Sequence, residues 1–255
     1  STREFLKEQF SKDGGVIQTS LSVDAQTAME TAANQYALEF KDQMVKGDFM
    51  LSSGSIAVDI ASGKIIAHQS TSPSTTDLVN FGKGYPIGSL MKPPVILSML
   101  ESGLKPRDIQ LYDGRMGNPV VNNFSGKLSK KKVGIEKMLA LSLNAPFNNI
   151  VELMDPAKVF EKNESIFKDM EIPQDPAINL TGKRNRTLNQ INYPLGNRRM
   201  TPLDVAQVYQ AIFNKGEWIP LSMGSFNGEF TIQDDRSRQV YQKENCRVIK
   251  NAMAA

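Results

Sequence analysis

The apolar positions change period several times along the chain, and each change predicts an element. After Asp24, a candidate N-cap, Ala25, Met29, Ala32, Ala33, Tyr36 and Phe40 recur at helical spacing, which predicts a helix through about Lys46. Two short alternating β-branched runs, Ser55–Ile60 and Lys64–Gln69, flank Ala-Ser-Gly and predict a hairpin. Residues 70–84 are rich in Ser, Thr and Gly and read as loop. From Leu90 to Ser102 the apolar residues Met91, Val95, Ile96, Met99 and Leu100 predict a mostly buried helix closed by Gly103. Pro93 and Pro94 fit that helix only in its first turn, where their missing N–H groups are not needed, so it starts near Ser89.

Residues 105–133 hold many Gly, Asn, Pro and Lys residues without apolar periodicity. Two short helices are expected at Ile135–Leu141 and Phe147–Leu153, separated by Ser-Leu-Asn-Ala-Pro. Residues 172–199 are irregular again. Thr201-Pro202-Leu203-Asp204 then opens a helix with an N-cap, a proline at the first position and a capping-box aspartate, and Lys215-Gly216 ends it. A second hairpin is expected from Glu217–Leu221 and Glu229–Gln233 around Phe226-Asn227-Gly228. The order hairpin, helices, hairpin predicts an α+β domain.

Composition narrows the function. The 255 residues are 40% hydrophobic and 22% charged, ordinary for a globular chain that buries a real core. A net charge of +3 leaves no electrostatic footprint of a nucleic-acid binder. No apolar run reaches the roughly 18–20 residues of a membrane span, and no signal-peptide pattern opens the chain. Cys246 and His68 are each the sole residue of their type, which excludes a disulfide framework and multi-histidine metal sites; no metal or cofactor is expected. His68 lies in a strand-like run and reads as a strand-end residue, so acyl chemistry here would take a lysine as its base.

That lysine has a candidate. In YPIGSLMKPP, Ser89 and Lys92 lie three residues apart at a helix start and so share a face, with Gly88 allowing close approach. A serine hydroxyl needs a base, and a lysine serves if burial lowers its pKa; a helix N-terminus favours the oxyanion that forms. Ser-x-x-Lys occurs four times, at Ser89, Ser102, Ser129 and Ser165, but only Ser89 stands between a hairpin and a buried helix. A second pair, Ser142 and Asn144, lies between two helices, where it can shuttle a proton and bind an amide or simply cap a helix. Its copy at Ser225–Asn227 is explained by turn chemistry.

YPIGSLMKPP resembles the active-site segment of penicillin-binding proteins, and the similarity runs along most of the chain. Ile17–Leu21 followed by Gln26 resembles the lead-in to the transpeptidase domain. SIAVDIASGKIIA, with Asp59 and Gly63, resembles its first hairpin, and Leu141–Asn144 resembles the second motif. Leu195-Gly196 and TPLDVAQVYQAIFNKG resemble the bifunctional, class A members more than the monofunctional ones. The resemblance implies the penicillin-binding-protein and serine β-lactamase fold, a mixed sheet flanked by helices, with residues 1–46 a lead-in and 47–255 the transpeptidase domain. It implies D,D-transpeptidation of peptidoglycan stem peptides outside the cytoplasm, inhibited by β-lactams. Ser89 would be the nucleophile, Lys92 the base, Ser142 the proton relay and Asn144 an amide-binding group beside Gly88. The parent protein would carry an upstream membrane anchor and a glycosyltransferase domain.

One motif departs. The family's Lys-Thr-Gly strand is absent, and Thr181-Gly182-Lys183 has its letters in another order within a loop. The expectation is a chain truncated before that strand, which would follow Ala255. The basic run Lys127–Lys132 could meet an anionic wall polymer or lipid, but a solvated loop is the favoured reading. A D,D-carboxypeptidase, a serine β-lactamase, a penicillin-sensing receptor and a non-catalytic scaffold are the alternatives, and the missing motif favours the last.

Overall fold

The computed structural model describes residues 17–39, 53–71, 80–82, 84–114, 121–178, 192–226 and 236–255. Thr181-Gly182-Lys183 and the Asn227-Gly228 turn, with the strand expected at Glu229–Gln233, lie outside them. Two compact units result, 1–80 with 219–237, and 81–218 with 238–255.

In the first unit, β1 (Ile17–Thr19) pairs antiparallel with Gly224–Phe226, and α1 spans Val23–Glu39. Asp24 is not the cap of α1: the Ser22 hydroxyl accepts from Ala25 N, leaving Asp24 in the first turn. The expected hairpin forms from β2 (Ser53–Val58) and β3 (Ile65–Thr71). Its turn is tied by Asp59, whose carboxylate accepts from Ser62 N and Ser62 Oγ. Gly63 follows in the left-handed region at φ 68°. His68 lies on β3 opposite Ile56. The Gln26 side chain meets it there, donating to His68 O (2.9 Å) and accepting from His68 N (3.0 Å).

The second unit is built around α2 (Lys92–Glu101), preceded by β4 (Tyr85–Pro86) and one 3₁₀ turn, Gly88–Met91. Every residue of α2 from Lys92 to Leu100 is buried, as a helix apolar all round requires. Next come β5 (Gln110–Tyr112), β6 (Lys132–Gly134), α3 (Ile135–Ala140), α4 (Ala145–Asn148) and α5 (Pro156–Asp169). The unit closes with β7 (Arg199–Met200), α6 (Pro202–Phe213) and α7 (Lys243–Ala254). Helices α5 and α7 pack on α2, and α7 also lies against α3 and α6. The core includes Val95, Ile96, Phe147, Phe160, Phe167 and Trp218. Thr201 and Asp204 form the expected capping box on α6.

The described residues around the expected second hairpin pair with segments the sequence did not point to. Glu217–Trp218 pairs with Arg238–Gln239, and Gly224–Phe226 with β1. Local alternation marked the strands but carried no information on partners distant in sequence. The class is α+β, as expected.

Candidate active site

The segment leading to Ser89 is held by backbone hydrogen bonds. Tyr85 and Pro86 pair with Met200 and Arg199, the amide of Ile87 donates to Arg198 O (3.2 Å), and the amide of Gly88 donates to Gly196 O (3.1 Å). Gly88 has φ 58°, so the chain turns sharply there into the 3₁₀ turn. A Cβ on Gly196 would lie 1.9 Å from Gly88 O, which leaves glycine as the residue that fits. This accounts for Leu195-Gly196, a motif the sequence flagged without a reason. The turn presents Ser89 exposed at its surface, and the Tyr209 hydroxyl of α6 donates to Leu90 O (3.0 Å).

Lys92, three residues on, is 1% exposed. Its ammonium donates to Ser142 O (2.7 Å), Ser142 Oγ (3.1 Å) and Asn144 Oδ1 (2.7 Å), and sits 5.7 Å from the centroid of the Phe147 ring. All three protons are therefore engaged. Burial pulls its pKa from 10.5 down to about 8. The other three Ser-x-x-Lys copies have no such lysine, because Lys105, Lys132 and Lys168 are all exposed. Ser102 spends its hydroxyl on Ser98 O.

Ser142 and Asn144 reach Lys92 through an unusual helix end. At the close of α3, Ser142 N donates to Leu139 O and Leu143 N to Met138 O, the paired bonds of a Schellman cap. Ser142 occupies the position glycine normally takes, at φ 46°, where a side chain costs about 1–2 kcal/mol. A serine kept in that strained place points to use of its hydroxyl.

Asn144 is placed by a group the sequence reading missed. Asn123 Oδ1 accepts from Asn144 N (2.8 Å) and Ala145 N (3.0 Å), capping α4 from 21 residues upstream. Its Nδ2 donates to Asp113 Oδ1 (2.7 Å) and Lys127 O (2.9 Å), and Asp113 Oδ2 accepts from Ser129 N. Burial raises the Asp113 pKa, but the bonds from Asn123 and Ser129 outweigh it, and the net shift is downward. The basic run is thus tied through its backbone while its lysine side chains stay exposed. Length was the one available signal, since an unpatterned stretch of this size in a compact domain is usually functional.

The structure therefore brings Lys92, Ser142 and Asn144 into one hydrogen-bonded cluster and sets Ser89 and Gly88 on the turn that leads into Lys92. Cys246 is buried in α7, and burial pushes its thiol up to about 12, so it is inert. Among the described residues no cluster of His, Cys, Asp and Glu could hold a metal ion, and no helix is long and apolar enough to cross a membrane.

Comparison with known proteins identifies the fold and the family. Penicillin-binding protein 1B of Haemophilus influenzae is 28% identical over 174 residues, covering 62% of this chain, and the chain spans 20% of that protein's length. PonA1 from Mycobacterium tuberculosis, solved in complex with penicillin V, superposes with a TM-score of 0.75 at 19% identity, over 99% of this chain and 68% of that one. A peptidoglycan glycosyltransferase from Burkholderia ambifaria gives 0.69 at 16% identity, over 92% and 72%. The two structures share the fold, and the family model of the penicillin binding protein transpeptidase domain matches residues 54–255, so the chain belongs to that family.

Proposed function

We propose that this chain is the D,D-transpeptidase domain of a class A penicillin-binding protein. The observation that carries the reading is the buried Lys92, bonded at once to Ser142 and Asn144 and with its pKa near 8. Two of its partners, Ser142 O and Asn144 Oδ1, are carbonyl oxygens and can only accept. When the amine is neutral its two N–H groups satisfy them, and its lone pair is left toward the Ser142 hydroxyl.

In the reaction, Ser89 Oγ attacks the carbonyl of the penultimate D-alanine of a stem peptide, and its proton passes to Lys92 by way of the Ser142 hydroxyl that faces the lone pair. The Ser89 backbone N–H stabilises the tetrahedral oxyanion, as expected at a helix start. Collapse breaks the C–N bond, and the proton returns through Lys92 and Ser142 to the amine of the departing D-alanine. An amine of a neighbouring strand then attacks the acyl-enzyme, loses a proton to the same pair and frees Ser89. Asn144 holds the substrate amide. A β-lactam follows the first half of this course, but its opened ring does not leave.

This reading puts the domain outside the cytoplasm, on a parent that also holds a glycosyltransferase domain and a membrane anchor. Penicillin-binding protein 1B as a relative supports the class. Intact and peptide mass spectrometry after incubation with a penicillin tests the reading. One adduct is expected on the peptide bearing Ser89, abolished by Ser89→Ala and retained by Ser102→Ala, Ser129→Ala and Ser165→Ala. Label on another peptide would end the assignment. Product analysis with a stem peptide and an acceptor amine separates transfer from hydrolysis.

A further inference from the structure

Behind the Ser89 turn lies an ionic network that the proposed chemistry does not use. Arg198, on the segment whose backbone grips Ile87 and Gly88, is fully buried. Its guanidinium makes a two-pronged pair with Glu164 of α5, Nε to Oε1 at 2.7 Å and Nη2 to Oε2 at 3.2 Å. Nη2 also donates to Pro173 O (3.0 Å), and the group stacks 4.8 Å from the Phe167 ring centroid. Tyr193 donates its hydroxyl to Glu164 Oε1 (2.5 Å) and accepts from Asn163 Nδ2 (2.9 Å). Asn163 reaches α2, accepting from Ser98 Oγ (3.0 Å) and standing 3.7 Å from Met91 Sδ.

A buried ion pair is a poor source of net stability, because desolvation consumes most of its attraction. Its fixed geometry is the more useful property, since a planar guanidinium on a carboxylate tolerates little displacement. Here that geometry meets the nucleophile from two sides. Arg198 O and Gly196 O hold the amides just before Ser89, and Asn163 holds Met91 and Ser98 just after it. Helix α5 is thereby coupled to the turn, although it places no side chain at the reacting atoms.

We propose that Arg198, fixed by Glu164 and Tyr193, is a positioning residue that locks the Gly196–Met200 segment onto Ile87 and Gly88 and so sets the direction in which Ser89 is presented. The proposal rests on Ser89 as the acylated residue. It assigns Arg198 no part in the placing of Lys92, which is held from Ser142 and Asn144.

The test uses the full-length protein with Arg198→Met combined with Glu164→Gln, which removes the pair without stranding a charge, and Tyr193→Phe as a milder change that leaves the pair intact. Amide hydrogen exchange is followed at Ile87 and Gly88, and at Asn144 and Ala145 as controls. Acylation by a fluorescent penicillin is timed across pH. The double variant should exchange faster at Ile87 and Gly88 only. It should acylate more slowly by a factor on the order of 10², the cost of misplacing a reacting group by about 1 Å, with the midpoint of the pH profile unmoved. Tyr193→Phe should show a smaller loss of the same kind. Unchanged exchange at Ile87 and Gly88 would overturn the proposal. Faster exchange with undiminished acylation would also overturn it, by reducing the network to ordinary structure. A shifted pH midpoint would show that Lys92 had moved as well, against the assignment. If the unmodified protein takes no label at Ser89, the acyl-transfer reading fails on its own account, and exchange still decides whether Arg198 holds the turn.

Discussion

Lys92 must surrender a proton before Ser89 can attack, so the acylation rate should follow the neutral fraction of its amine. With a pKa of about 8, that fraction is roughly 1% at pH 6 and about half at pH 8, and the second-order acylation rate should rise about 50-fold between them. The folded state should show the same titration. In the unfolded chain the amine keeps its proton up to 10.5, whereas the folded protein releases it near 8. Between those values the unfolded chain binds more protons, so this group adds stability as pH rises from 8 to 10.5, by up to about 3 kcal/mol; below pH 8 the full penalty of burying the charge applies. The assay is stopped-flow or gel-based labelling with a fluorescent penicillin from pH 6 to 9, beside Lys92→Arg. Arginine keeps the charge but does not deprotonate, and acylation should fall by about 10²–10⁴. A profile flat within threefold between pH 6 and 8, or near-normal labelling of the arginine variant, would refute the role of this amine.

Two further variants probe the second motif. Ser142→Gly and Ser142→Ala should lose acylation equally, since both delete the relay hydroxyl, yet in denaturant unfolding the glycine variant should be the more stable by about 0.5–1 kcal/mol because φ 46° costs it nothing; equal stability would remove the argument from strain. Asn123→Ala strips the amides of Asn144 and Ala145 of their buried acceptor and should cost roughly 2–4 kcal/mol in denaturant unfolding, with slower acylation as Asn144 drifts from Lys92; a loss below about 1 kcal/mol would mean α4 finds another cap.

What the sequence disclosed was whatever is written in neighbouring residues. The apolar run after Ser89, the two prolines confined to a first turn and the capping box at Thr201 each have a local cause, and each stands where expected. The Ser89–Lys92 spacing was legible for the same reason. Asn123 and Asp113 were not, because an amide that caps a helix 21 residues away leaves no period to read. The partners of Glu217–Trp218 were hidden likewise, as register between distant strands is set by packing rather than by turn residues. Arg198 carries no local signal either: it adjoins an identical residue, and only burial against Glu164 distinguishes it from the exposed Arg199.

The Gln26 side chain has a consequence for what can pair with β3. Its amide offers β3 the same donor and acceptor that a neighbouring strand would offer, and it fills both slots of His68 with one residue. A second strand approaching that edge finds its hydrogen-bonding positions taken, while Glu30, which accepts from the same amide, adds a negative charge nearby. Gln26 thus stands in for one residue of a neighbouring strand, and with the amide of Ser22 on Ile66 O it lets a helix take the place a strand would have along β3.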